Sequence, residues 1–217
     1  MRIKWYGHAA FLLHYSDGTK IITDPYVSGC FDNSLRYSPI SDEADFVFIS
    51  HHHPDHDGAA NIRGNPRVID QPGIHTAGSV MVTGIRTFHD SEQGRLRGTN
   101  IVYLFSGVGL RIAHLGDLGH LPEEQAPSIR PVDILLLPVG GFYTIGPEAA
   151  SQTISLLQAR LVIPMHYKTE RLDFPIADLE QFTRLFPNVQ RIENDAIEVE
   201  SKLIPREPQV WVLKHSG

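Results

Sequence analysis

The 217-residue chain has one cysteine, Cys30, so no intramolecular disulfide framework can hold it together. A single thiol suits a reducing compartment, and a cytoplasmic location is expected. No apolar run approaches the roughly 20 residues that a membrane-spanning helix needs. Met1-Arg2-Ile3-Lys4-Trp5-Tyr6 alternates charged and apolar residues, which reads as a strand and not as a secretory leader. Positive charge is scarce as well: 19 Lys and Arg stand against 25 Asp and Glu, a formal net charge of -6. That leaves no global basic field for nucleic acid or an anionic membrane surface. Internal repeats, low-complexity tracts and linkers are absent. The remainder is ordinary globular composition, 41% hydrophobic, in a chain long enough for one domain over residues 1–217 with a sizeable core.

Histidine is the one excess, with twelve. Four of them fall in Ser50-His51-His52-His53-Pro54-Asp55-His56-Asp57-Gly58, directly after the apolar run Phe46-Val47-Phe48-Ile49. This is the pattern of a strand ending in a tight loop that collects metal ligands. In extended geometry His51 and His53 project to one side, and His52 to the other. Pro54 can turn the chain so that Asp55 and His56 return to the same point.

Along the rest of the chain, Ile3–Tyr6, Phe11–Tyr15 and Lys20–Thr23 read as strands, the last two joined by an Asp17-Gly18 hairpin turn. Residues 25–43 form a loop long enough to suggest that it borders a site. Further strands are expected at 67–70, 79–88 (with Gly84 a bulge), 100–105, 110–114, 134–139, 161–163 and in the tail to Leu213. Helices are expected at 58–63, 147–159 and 175–186, the last two carrying apolar stripes. Alternation of strands and helices in one domain predicts an α/β (α+β) fold, with two sheets packed together and helices outside.

Four strand ends carry ligand types: the 51–56 loop, then His89, Asp117 and His166. Side chains at strand C-termini converge on one edge of a layered fold. A metal wants three or four rigid N/O ligands with a position left for chemistry. Seven candidates suffice for two. One assignment places His51, His53 and His89 on the first metal, and Asp55, His56 and His166 on the second, with Asp117 between them. His114, three residues before Asp117, is the rival of His89. The donor set contains no sulfur, so zinc is the first expectation, with manganese or iron also permitted.

The motif His-x-His-x-Asp-His at 51–56, with His89, Asp117 and His166 following, resembles the metallo-β-lactamase-fold hydrolases. Trp5-Tyr6-Gly7-His8, Thr23-Asp24-Pro25, Phe88-His89-Asp90, His114-Leu115-Gly116-Asp117-Leu118-Gly119, Pro138-Val139-Gly140-Gly141 and Pro164-Met165-His166-Tyr167 resemble the branch of the ascorbate-6-phosphate lactonases. The resemblance implies a four-layer αββα sandwich and a hydrolytic centre of one or two divalent metal ions. Asp55 is then expected to act in catalysis as well as in binding. The context Phe88-His89-Asp90-Ser91 departs from the Pro-Gly-His-Thr of lactamases and glyoxalase-type thioesterases, which argues against β-lactam and glutathione-thioester substrates.

His8, Asp24, His114, Tyr143 and Lys168 are candidates for supporting the ligands or touching substrate, Asp24 by orienting a histidine. Turn chemistry at Asp24-Pro25 and simple packing of His8 account for those residues equally well. Asp90 is a candidate loop cap. Gly140-Gly141 would let a substrate approach the backbone, or simply make a turn. The expected substrate is a small-molecule ester, lactone or phosphoester. The rival functions are a phosphodiesterase or nuclease, for which only Arg95 and Arg97 make a local basic pair, and a non-enzymatic metal-binding module. A homo-oligomer is compatible with the sequence.

Overall fold

A computed structural model describes all 217 residues. Fourteen strands follow one another as β1 (Arg2–Gly7), β2 (Ala10–His14), β3 (Lys20–Thr23), β4 (Phe46–Phe48), β5 (Arg67–Ile69), β6 (Gly73–Ala77), β7 (Val80–Phe88), β8 (Thr99–Gly107), β9 (Leu110–His114), β10 (Ile134–Pro138), β11 (Leu161–Met165), β12 (Val189–Ile192), β13 (Ala196–Glu198) and β14 (Gln209–Leu213). They make two sheets, a six-stranded one in the order β13-β1-β2-β3-β4-β5 and an eight-stranded one in the order β12-β14-β11-β10-β9-β8-β7-β6.

The alternation of side chains across a strand divides the core. Ile3, Trp5, Phe11, Leu13, Ile21 and Phe48 point from the smaller sheet into the main core between the sheets. Their neighbours Tyr6, Ala10, Leu12, Ile22 and Val47 point the other way, into a second cluster with Tyr26, Leu35 and Tyr37 from the 25–43 loop. Both faces of these strands are therefore covered, which is why they read as continuous apolar runs. The helix Pro147–Leu156 packs beside β10 and the short helix Leu179–Thr183. The αββα layering holds, with a thin outer layer over the smaller sheet: the long loop and single turns at Cys30–Asn33 and Ala59–Asn61.

Three local expectations change. The helix expected at 175–186 is confined to Leu179–Thr183, capped by the Asp178 side chain on the Gln181 N–H. Upstream, Ala177 spends its N–H on the Gly140 carbonyl and its own carbonyl on Lys168, so the chain is held extended there. The helix expected at 58–63 is one 3-10 turn. No bulge occurs at Gly84, where the register runs on unbroken through both β6 and β8. The glycine is required because the Tyr103 ring and Pro72 Cα each approach within 3.1 Å of where a Cβ would stand.

Candidate metal centre

Every loop of the centre leaves the C-terminal end of a strand. The smaller sheet supplies His8 after β1, Asp24 after β3 and residues 51–56 after β4. The larger sheet supplies His89 after β7, Asp117 after β9 and His166 after β11. The centre thus sits on the seam between the sheets, where the His166 N–H donates to the His8 carbonyl at 3.1 Å. His8, Asp24 and His166 each adopt a left-handed backbone, with φ of 51°, 40° and 52°. That conformation costs about 1–2 kcal/mol in a non-glycine residue. Each of the three sits at or just beyond a strand end, where the chain turns off the sheet edge, and each side chain is buried in the cluster.

Three groups of ligand atoms form, each within 4.8 Å: His51, His53 and His89; His8, Asp55, His56 and His166; and His51, His56 and Asp117, which links the other two. Asp117 lies between them. Its Oδ2 is 3.2 Å from His89 Nε2 in the first group and 3.2 Å from His166 Nε2 in the second. Its Oδ1 is 3.2 Å from His56 Nε2. The seven residues expected as ligands therefore converge, and His8, a candidate for supporting them, is buried among them.

Hydrogen bonding behind the cluster sets the imidazole tautomers. The Ser50 hydroxyl donates to Asp24 Oδ2 at 2.6 Å, so its single proton is used. His51 Nδ1, 3.0 Å from that hydroxyl oxygen, must then be the donor. His56 Nδ1 likewise donates to Asp24 Oδ2 at 2.9 Å. Both arrangements leave an Nε2 lone pair pointing inward. Asp24 is thus the orienting carboxylate, held in turn by the Ser50 N–H at 2.7 Å.

The donor set fits a cation. His51 Nε2, His56 Nε2, His166 Nε2, Asp55 Oδ1 and Asp117 Oδ1 are buried with no hydrogen-bond partner. Unpaired buried polar atoms cost about 1–3 kcal/mol each, so such a concentration is tolerated where something else satisfies them. Burial disfavours a charged imidazole at His56, but Asp117 and Asp55 outweigh it and push its pKa well above the usual value. Burial, with His56 nearby, lowers His51 to about 3. Burial works against the Asp117 carboxylate, yet His166 and His56 hold it well below the ordinary range. The two carboxylates therefore favour positive charge at His56, while burial and neighbouring histidines disfavour it at His51.

His114 takes no part. Its Nε2 faces the Ala9 carbonyl at 2.9 Å and its Nδ1 accepts the Gly116 N–H at 3.2 Å, so both nitrogens are spent. Lys168 also stands apart, with Nζ on the Phe174 carbonyl at 2.8 Å and on Asp173 at 3.3 Å. Gly140 is no substrate platform, since the His166 carbonyl fills the space of a Cβ. Tyr143 does reach the centre: with His53, Asp55, His89 and Asp117 it lines a cavity of about 470 Å³.

Asn100 and Ser50 carry no role in the sequence reading, and Arg97 enters it only as half of a basic pair with Arg95. Asn100 accepts the Asp117 N–H at 3.0 Å while its amide donates to the Leu115 carbonyl at 2.9 Å, fixing the Asp117 loop. A lone Asn opening an apolar strand was the available signal. Ser50 was hidden by its ordinary loop context. Arg97 lines the cavity from a loop whose amides are gathered by Asp90.

The fold and the donor set define the class, and comparison with known proteins agrees: residues 2–166 match the family model described as the β-lactamase superfamily domain. A UPF0173 metal-dependent hydrolase of Thermococcus onnurineus is 32% identical over 212 residues, covering 85% of this chain and 92% of the relative. Another from Nitratidesulfovibrio vulgaris is 34% identical, covering 85% of each. A metallo-β-lactamase-superfamily protein of Thermotoga maritima, known from its crystal structure, is 41% identical with a TM-score of 0.80 over 98% of this chain and 97% of that one. The chain belongs to the UPF0173 metal-dependent hydrolase family.

Proposed function

We propose that the chain is a dinuclear metal-dependent hydrolase of small-molecule esters, lactones or phosphoesters, with zinc as the first metal to test. The observation that carries this reading is the place of Asp117, whose Oδ2 stands 3.2 Å from His89 Nε2 in one ligand group and from His166 Nε2 in another. His51, His53 and His89 would hold one ion, and Asp55, His56 and His166 the other, with Asp117 shared. Divalent cations held there supply Lewis acidity and lower the pKa of coordinated water.

Asp55 is the residue assigned to proton movement. It lines the cavity, and its Oδ1 has no partner. Its Oδ2 accepts the His8 Nε2–H at 3.0 Å, which fixes the plane of the carboxylate. Oδ1 can then orient an attacking water, take its proton and return it to the leaving group. Small-molecule rather than nucleic-acid substrates are supported by the modest cavity and by Arg97 as the one cation lining it. The likeness to ascorbate-6-phosphate lactonases puts lactones and phosphoesters first. No helix is long and apolar enough to cross a membrane, and the single cysteine suits the cytoplasm.

The test is metal analysis of the purified protein with a panel of lactones, phosphodiesters and amides, repeated for Asp117→Ala. Two metals in the wild type, at most one in the variant and loss of turnover are expected. Unchanged stoichiometry and unchanged hydrolysis in Asp117→Ala would sink the dinuclear reading. Activity confined to phosphodiesters would replace the lactone preference.

A further inference from the structure

We propose that the cavity over the metal centre selects substrates with an apolar body and an anionic group, a carboxylate or a phosphate, that is bound by Arg97 away from the bond being cut. The inference rests on the hydrolytic reading only for where that bond lies.

Arg97 is exposed, its guanidinium makes no ion pair, and it lies over the Tyr143 ring with Cζ 5.7 Å from the ring centre. The charges around it are already answered. Arg95 pairs with Glu92 at 2.9 Å. Asp173, the acid on the cavity wall outside the metal cluster, is 3.3 Å from Lys168. Arg97 is therefore the unanswered charge at the mouth. Its guanidinium offers the forked donors that match a carboxylate or phosphate.

The backbone beneath Arg97 is fixed. Asp90 Oδ2 accepts the N–H groups of Leu96 and Arg97 at 3.0 and 2.8 Å, and Oδ1 accepts those of Glu92 and Gly94 at 2.7 and 2.9 Å. Asp90 follows His89 directly, so the loop carrying the cation is tied to a metal ligand.

The apolar wall is costly to maintain without a partner. Leu96 and Phe31 line the cavity while 63% and 46% exposed. Phe31 opens a run of three left-handed residues, Phe31, Asp32 and Asn33, with φ of 53°, 53° and 64°. Such strain, at about 1–2 kcal/mol per residue, points to a role for the conformation it enforces. That conformation sets Phe31 edge-on to Phe174, ring centres 5.6 Å apart, beside Tyr143. An exposed apolar patch continuous with a polar centre marks a ligand groove.

The experiment is calorimetric titration of the zinc-loaded full-length protein with 3-phenylpropionate, 2-phenylethylphosphonate and the neutral 3-phenylpropionamide. At least one anion is expected to bind about tenfold more tightly than the amide. Arg97→Gln should erase that preference while amide affinity and zinc content stay unchanged, and the anion losing more identifies the group recognised. Phe31→Ser should weaken all three ligands together. An anion preference that survives Arg97→Gln would mean that the anion sits on the metals and would overturn the proposal. So would equal affinity for anions and amide in the wild type. Binding is read without turnover, so a hydrolase panel that fails sinks the function proposed above and leaves this result intact, and the reverse holds equally.

Discussion

Asp24 Oδ2 accepts a hydrogen bond from His56 Nδ1 at 2.9 Å while both residues are wholly buried. One carboxylate oxygen thereby sets the tautomer of His56 directly and that of His51 through Ser50. Asp24→Asn keeps the volume but replaces one of two accepting oxygens with an NH2 donor, which must then face either the Ser50 N–H or the Ser50 hydroxyl and His56 Nδ1–H. Metal affinity is expected to fall about 10–100-fold. Competition with a chromophoric chelator checks this, and wild-type affinity in the variant would show that Asp24 does not orient the ligands.

Gly116 precedes Asp117 with φ of 54°, and a Cβ there would meet Asn100 Oδ1 and stand 2.5 Å from Ser50 Cβ. Gly116→Ala is expected to destabilise the protein by about 2–4 kcal/mol, from overpacking together with the left-handed backbone. Gly109→Ala is the control. It shares a positive φ of 73°, but its nearest neighbour would be 3.7 Å away, so only the backbone cost of about 1 kcal/mol is expected. Urea unfolding of the two variants side by side gives the difference, and equal losses would refute the steric account.

Asp90 gathers the amides of residues 92, 94, 96 and 97. Burial works against its charge, but these four donors hold its pKa below the usual carboxylate range. Asp90→Ala should speed hydrogen exchange over 92–97 by at least about tenfold while leaving β10 unchanged. Unaltered exchange in the loop would show that Asp90 is not what orders it.

Burial, and then the charge of Asp55, push the Cys30 thiol up to about 11. A raised thiol pKa means the neutral form persists through neutral and mildly alkaline pH. At pH 8 the thiolate fraction is then about two orders of magnitude below that of a free cysteine with pKa ~8.5. Iodoacetamide labelling should be slow by that factor and should accelerate about tenfold per pH unit until near pH 11. Labelling at the rate of a free thiol at pH 8 would contradict this.

Much of the candidate centre was legible because its possible ligands are local in kind. The 51–56 cluster is compressed into six residues after an apolar strand, and His89, Asp117 and His166 each follow another such run. Strand direction brings each set to the C-terminal edge of its own sheet, and packing of the two sheets brings the edges together. The layered fold was legible from the same runs, since strands covered on both faces lose the polar alternation of an exposed sheet. The lower limit came at 175–186. There an apolar stripe of helical spacing was overridden by backbone hydrogen bonds to Gly140 and Lys168, which no local pattern encodes.

The amino-acid sequence by itself determined the inventory of candidate ligands, their sulfur-free chemistry and the two-sheet class, because each depends on residue type and short spacing. Only the tertiary structure decided between His89 and His114. Both end strands near Asp117, but the Gly116 amide and the Ala9 carbonyl consume the two nitrogens of His114. It also set His8 against Asp55, placed Arg97 over Tyr143 and left Lys168 bound to Phe174. These outcomes depend on partners up to 105 residues apart in the chain. Packing of one sheet on the other sets those distances, and packing is a property of the whole fold.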